Sequence, residues 1–222
     1  VLPKLEVENL SFSYDNKTFI LKNINLKVYP GESICIKGVN GCGKTTFLKI
    51  LSGLINTKNI IKFNGKEIKN FKTYKKKISY IPDKPYLYEE LTGKENINMI
   101  MHLWNENKKE YLKKISFLSN MFEIQKDLNT IVKNYSLGMK SKLYLIAMLA
   151  RNTELMLLDE PLTTLDIKSR KNIENILYNK KKEGMSIIFV SHMKEIQKNF
   201  SDRFFYFENK ILREEKENVE LF

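Results

Sequence analysis

The chain has 222 residues, 42% of them hydrophobic and 29% charged, with a formal net charge of +12. That length suffices for one sizeable core, and that balance excludes a disordered or membrane-embedded chain. Its longest apolar stretches, around residues 143–150 and 155–158, fall far short of the roughly 20 residues that a membrane-crossing helix requires.

No charged-then-apolar leader opens at Val1, so secretion is not expected. Cys35 and Cys42 fall on a predicted strand and the loop after it, a poor arrangement for a disulfide, and fit a reducing cytoplasm. Cys35 reads as a small buried apolar residue, and Cys42 as a thiol open to alkylation. The positive charge would suit a polyanion. Lysine is nevertheless spread along the chain, as in Lys75-Lys76-Lys77 and Lys180-Lys181-Lys182, with no aromatic RNA-binding motif interleaved. A solvated lysine-rich surface is therefore the favoured reading, and no specific nucleic acid is expected.

In chain order, residues 5–28 carry short apolar patches broken by Asp15-Asn16-Lys17, a turn signal that predicts a hairpin or meander of strands. Pro30-Gly31 turns the chain, and residues 33–37 read as a short apolar strand. Glycines at 38, 41 and 43 follow, then a helical pattern of Phe47, Leu48, Ile50, Leu51 and Leu54. Between Pro82 and Arg151 the period is helical, with Ile97, Ile100, Met101 and Trp104 on one face and Met139, Leu143, Ile146 and Ala150 on another. The apolar runs 155–158 and 186–190 read as buried parallel strands. Between them Asp166 is placed to cap a helix carrying Ile167, Ile173, Ile176 and Leu177, which Gly184 stops. These elements predict a single α/β domain. Residues 1–82 and 152–222 would form a parallel-sheet core with an N-terminal antiparallel β subdomain, and residues 83–151 an inserted helical subdomain.

Gly38-Val39-Asn40-Gly41-Cys42-Gly43-Lys44-Thr45 matches the phosphate-loop pattern in full. The glycines let the backbone wrap an anion, successive amides point inward, and the following helix adds its positive end. Lys44 would reach the β and γ phosphates, the Thr45 hydroxyl would ligate magnesium, and Thr46 completes the nucleotide-binding set. Residues 155–158 end in Asp159-Glu160. A carboxylate at a strand end beside such a loop holds magnesium through water, which is the role expected of Asp159. Glu160, one residue on, is placed to act as general base toward an attacking water, the step that separates a hydrolase from a binder.

With both halves in place, the chain resembles the nucleotide-binding subunit of ATP-binding cassette transporters over essentially its whole length. The resemblance implies a P-loop NTPase fold with ATP and Mg2+ as its ligands. Tyr14 matches the aromatic on which the family stacks adenine, a role that Phe12 would also tolerate. Tyr135-Ser136-Leu137-Gly138-Met139 stands at the family's Leu-Ser-Gly-Gly-Gln signature and keeps only the Ser and the second Gly. Ser136 would cap the following helix and, with Gly138, face the ATP held by a partner subunit. His192 matches the switch histidine at the γ-phosphate, and Asp166 the loop that crosses to the other subunit. Asp83, in Ile81-Pro82-Asp83, departs from the usual Gln; it would reach the metal as a carboxylate or through water, or else be a plain loop residue.

The resemblance further implies an ATP-dependent head-to-tail dimer with a second cassette. It also implies a separate membrane-spanning permease and a cytoplasmic subunit, peripheral on that face of the membrane. The permease would dock around Tyr86, Leu87, Tyr88, Ile97 and Trp104, unless those side chains are the core of the helical subdomain. The form of the signature looks like that of drug, antibiotic-peptide and lantibiotic exporters, which favours export. The alternative is a soluble cassette ATPase with no transport role, such as an iron–sulfur cluster assembly factor.

Overall fold

A computed structural model describes residues 1–58 and 60–215. Strands β1 (Leu5–Ser13) and β2 (Phe19–Val28) form the hairpin expected from Asp15-Asn16-Lys17. The Asp15 carboxylate accepts the backbone N–H groups of Lys17 and Thr18 at 2.9 and 2.8 Å and so closes the turn. With β4 (Ile61–Phe63) and β5 (Lys66–Glu67) the hairpin makes an antiparallel sheet in the order β2-β1-β4-β5.

The second sheet has the order β10-β9-β3-β8-β7-β6. Its members are β3 (Ser33–Lys37), β6 (Ile78–Ile81), β7 (Leu155–Asp159), β8 (Ser186–Val190), β9 (Arg203–Glu208) and β10 (Ile211–Glu214). It is parallel from β9 to β6, and only β10 runs against its neighbour. The central strands are buried on both faces, as their unbroken apolar sequences require. Alternate residues feed two cores: Leu155 and Leu157 pack toward α1 (Lys44–Leu51) and the antiparallel sheet, Met156 and Leu158 toward the helices of the other face.

Helix α1 ends earlier than its apolar pattern suggests. Gly53, at φ 72° in the left-handed region, turns the chain just after Ser52 caps the helix, which leaves Leu54 half exposed. A short α2 (Phe71–Lys76) precedes β6. Between β6 and β7 lie α3 (Gly93–Trp104), α4 (Lys108–Met121), two short 3-10 turns and α5 (Leu137–Leu149). Thr92 and Glu95 form a reciprocal capping box at the start of α3. The α3 face carrying Ile97, Ile100 and Met101 is buried. Ile97, expected on a docking surface, is thus a core residue, and Trp104 lies partly buried under the Arg151 guanidinium at 4.1 Å. Tyr86 and Tyr88 do remain exposed.

Arg151 follows α5 and is 1% exposed. It donates to the carbonyls of Ile78, Lys75 and Lys76 at 2.8, 3.1 and 3.3 Å and pairs with Glu106 at 3.2 Å. One side chain thereby fastens the end of α3 to α2 and β6. Helices α6 (Ile167–Lys182) and α7 (Lys194–Phe200) complete the chain. Asp166 caps α6, accepting the Ser169 N–H at 2.8 Å, while Ile167 faces outward and stays exposed.

Candidate active site

The parallel strands deliver their C-terminal ends to one edge of the sheet, where ligands of open α/β folds bind. β3 runs into the glycine loop, and α1 begins at Lys44. Gly38 and Gly43 adopt φ values of 146° and 113°, and a Cβ there would lie 2.8 Å from Cys42 Sγ and 2.9 Å from Leu21 Cδ2 respectively. No other residue fits both the backbone and the space. The Lys44 ammonium curls back over the loop, donating to the Gly38 and Val39 carbonyls at 2.7 and 2.9 Å.

Beside the loop, β7 and β8 end in register, Asp159 opposite Val190. Asp159 is 2% exposed and hydrogen-bonded by Thr45. Burial pushes its pKa up, the Thr45 hydroxyl opposes that, and the neighbouring Asp83 charge adds to it. Glu160 donates its N–H to Val190 O at 3.1 Å and sits at φ 53°, a left-handed conformation rare for a residue with a Cβ. Both of its carboxylate oxygens are buried without a hydrogen-bond partner. His192, just beyond β8, brings Nε2 to 3.2 Å from Glu160 Oε1, within ion-pair range though not in hydrogen-bonding geometry. Burial raises the Glu160 pKa, and the nearby His192 and Lys44 moderate the rise.

These groups enclose a cleft of about 570 Å³. Its walls carry Tyr14, Asn40, Gly41, Gly43, Lys44, Thr45, Thr46, Asp83, Asp159, Glu160 and His192. Residues far apart in sequence thus meet around one cleft. Tyr14 is 63% exposed, tied to Thr46 by a 3.2 Å hydroxyl contact and to Phe12 by an edge-to-face ring contact of 4.9 Å. Of the two candidate aromatics only Tyr14 lines the cleft. Gly38 and Cys42 belong to the loop but do not line the cleft, and both cysteines are free.

Ser136, Gly138 and Asp166 do not line this cleft. Ser136 caps α5 through Met139 N at 3.2 Å, and a Cβ on Gly138 would stand 3.2 Å from Thr164 O. Asp166 is bound by Lys142 at 2.7 Å as well as by Ser169, and these donors hold its carboxyl well below the usual range. Ile20, Thr163 and Val190 are wall residues that no motif announces, and Tyr80 reaches Asp159 from β6. Of these only Tyr80 left a faint signal, a phenol beside Ser79 in the short strand Ile78–Ile81, since a buried hydroxyl needs a partner.

The sequence pattern of the ABC transporter family matches residues 21–163, from β2 through the phosphate loop to just past Glu160. The chain belongs to the ABC transporter family and is its ATP-binding cassette. Among relatives of this cassette, the lantibiotic transport ATP-binding protein SrtF of Streptococcus pyogenes is 32% identical over 222 residues, covering 97% of this chain and 94% of its own. A putative ABC transporter ATP-binding protein of Bacillus cereus is 32% identical over 203 residues, 90% of this chain, yet this chain spans only 36% of that relative. A solved ATP-binding subunit of an ABC transporter superposes with a TM-score of 0.89 at 27% identity, over 96% of this chain and 89% of that one.

The cleft of the ABC cassette has the size of a small-molecule site. An aromatic at one end, loop amides and Lys44 at the other suit a nucleoside triphosphate. Thr45 and Asp159 offer oxygens only, and Asp159 is a buried carboxylate that no salt bridge joins among the described residues, the Lys49 charge acting on it from a distance. Among the described residues no three His, Cys, Asp or Glu side chains gather into a metal cage. A few protein oxygens beside phosphates are what magnesium, which keeps much of its water, takes.

Proposed function

We propose that this cassette binds ATP with magnesium in the cleft, hydrolyses it, and powers export through a separate membrane-spanning permease. The observation that carries the reading is Glu160, whose buried carboxylate oxygens accept no hydrogen bond, whose Oε1 has His192 at 3.2 Å and whose pKa is raised, at the edge of the phosphate loop. Tyr14 would stack the adenine, the loop amides and Lys44 the phosphates. Thr45 and Asp159, with Asp83 opposite, would hold the magnesium, which when bound neutralises charge on the β and γ oxygens. Glu160 takes the proton of the attacking water, and His192 steers both the carboxylate and the γ-phosphate.

Ser136 and Gly138 stand outside their own cleft at the N-terminus of α5, a partly positive end open to an anion. That placement supports a head-to-tail pair in which each α5 closes on the ATP of the other copy, with Asp166 at the crossing loop. Release of the γ-phosphate would part the two. Among the described residues no helix is long and apolar enough to cross a membrane, so transport needs the permease, with Tyr86 and Tyr88 as the exposed contacts on the cytoplasmic face. The full-length likeness to SrtF, a protein named for lantibiotic transport, supports a transport role, and the form of the Tyr135–Met139 signature favours export.

ATP turnover and gel filtration of the wild type and Glu160→Gln, each with ATP and magnesium, test the reading. The variant should bind ATP, lose turnover by two orders of magnitude or about that, and accumulate as a dimer. A variant that turns over like the wild type would overturn the role of Glu160.

A further inference from the structure

Five tyrosines are buried among the described residues, and four of them give their hydroxyl hydrogen to a backbone carbonyl. Tyr74 donates to Leu51 O, Tyr111 to Ala147 O, Tyr135 to Asp127 O and Tyr144 to Tyr80 O. Tyr80 alone donates to a carboxylate, Asp159 Oδ2, at 3.4 Å. We infer that Tyr80 is a positioning residue that fixes the rotation of the Asp159 carboxylate in the cleft. The inference rests on the reading of that cleft as an ATP–magnesium site.

The placement follows from the sheet. β6 and β7 run parallel with Tyr80 opposite Leu157. Asp159 lies two residues beyond Leu157 and therefore on the same face, so the Tyr80 ring extends along the sheet toward the strand end. Tyr80 is 6% exposed and Asp159 2%. The Tyr144 hydroxyl, 3.5 Å from Tyr80 O, ties the strand from which the ring projects to α5. The residue also lines a small cavity with Leu54, Tyr86 and Trp104, on the side away from the carboxylate.

A buried carboxylate that must present an oxygen to a metal needs a second group to stop it from turning. Thr45 also bonds Asp159, but its hydroxyl oxygen is itself assigned to the magnesium. Tyr80 is a donor with no second duty, rigid up to the ring, and a phenol remains protonated at neutral pH.

The test is binding of a fluorescent ATP analogue to the purified chain, first in EDTA and then along a magnesium titration. Tyr80→Phe should leave affinity in EDTA unchanged and raise the magnesium concentration for half-maximal tightening about three- to tenfold, the range of one lost hydrogen bond. Tyr111→Phe, which removes a buried hydroxyl far from the cleft, should give the wild-type titration. In an Asp159→Asn background, Tyr80→Phe should add little, because the pair acts as a unit. An unchanged magnesium dependence in Tyr80→Phe, or an equal shift with and without Asp159, would overturn the inference while leaving the ATP site intact. A wild type that fails to bind the analogue would overturn the ATP reading and this inference with it.

Discussion

Glu160 combines a left-handed backbone with buried carboxylate oxygens that accept no well-formed hydrogen bond, His192 standing 3.2 Å away, so the residue is held at a cost to the fold. Its pKa is raised by burial, meaning that the folded chain holds the proton more tightly than the unfolded one. The penalty is absent below the ordinary carboxylate value and grows as pH rises through and past it. Glu160→Gln should therefore raise the melting temperature at neutral pH by about 2–4 °C, the equivalent of about 1 kcal/mol for a chain of this size. Differential scanning calorimetry without nucleotide would read it. For the same reason the acid limb of kcat/KM should fall at a pH above 4.5, the ordinary value for Glu. At this scale the phosphate loop was fully legible, because its residues are contiguous and each type has a chemical reason. Tyr80 was not, since its partner is 79 positions away and only the pairing of β6 with β7 brings them together.

Elements are joined by a few polar posts. Glu154 receives Lys4 and Asn64, both at 2.9 Å, and Lys77 at 3.2 Å, linking the antiparallel sheet to the start of β7. Partial burial pushes its pKa up, yet the three donors outweigh that and hold it at about 2. The stabilisation is complete above pH 4.5 and disappears as pH falls toward 2. Because the carboxylate is 38% exposed, solvent screens it, and Glu154→Gln should cost about 1 kcal/mol at pH 7 by urea denaturation. The difference from the wild type should vanish at about pH 2. Arg151 is the opposite case: buried, paired with Glu106 and bound to three carbonyls. Arg151→Ala should cost about 3–5 kcal/mol, and Arg151→Lys should recover little, because an ammonium lacks the planar fork. Strands β7 and β8 were legible as unbroken apolar runs, and the caps of α5 and α6 as Ser136 and Asp166. Strands β4 and β5, of three and two residues, are too short for any period to register. Ile97 was misplaced because an apolar stripe looks the same whether it faces a partner or its own core.

Over the whole molecule, the cleft and the start of α5 are separate features of one chain, and the proposed pairing of two copies joins them. Gly138→Asp, introduced into Glu160→Gln, should leave ATP binding unchanged and abolish the ATP-dependent dimer. A new carboxylate would then face the phosphates, and its Cβ would press on Thr164 O. Gel filtration and nucleotide binding separate the two effects. The class of the fold was legible because a strand, glycine loop and helix followed by an apolar strand with an acidic end mark a phosphate-binding α/β sheet, while the place of β8 between β3 and β7 was not. The antiparallel flank at β9 and β10 was not, for nothing in those strands marks their direction. One consequence belongs to Arg151 and α5 together. The helix has 13 residues, a rod of about 20 Å, fastened at its C-terminal end by Arg151 and near its N-terminal end by Lys140 on Glu89, Ser141 on Thr164 and Lys142 on Asp166. Over that length a tilt of about 5° at the guanidinium would carry the tip through about 2 Å. That travel is comparable to the difference between a made and a broken hydrogen bond, so the three contacts beside Ser136 are what keep the tip of the rod in place.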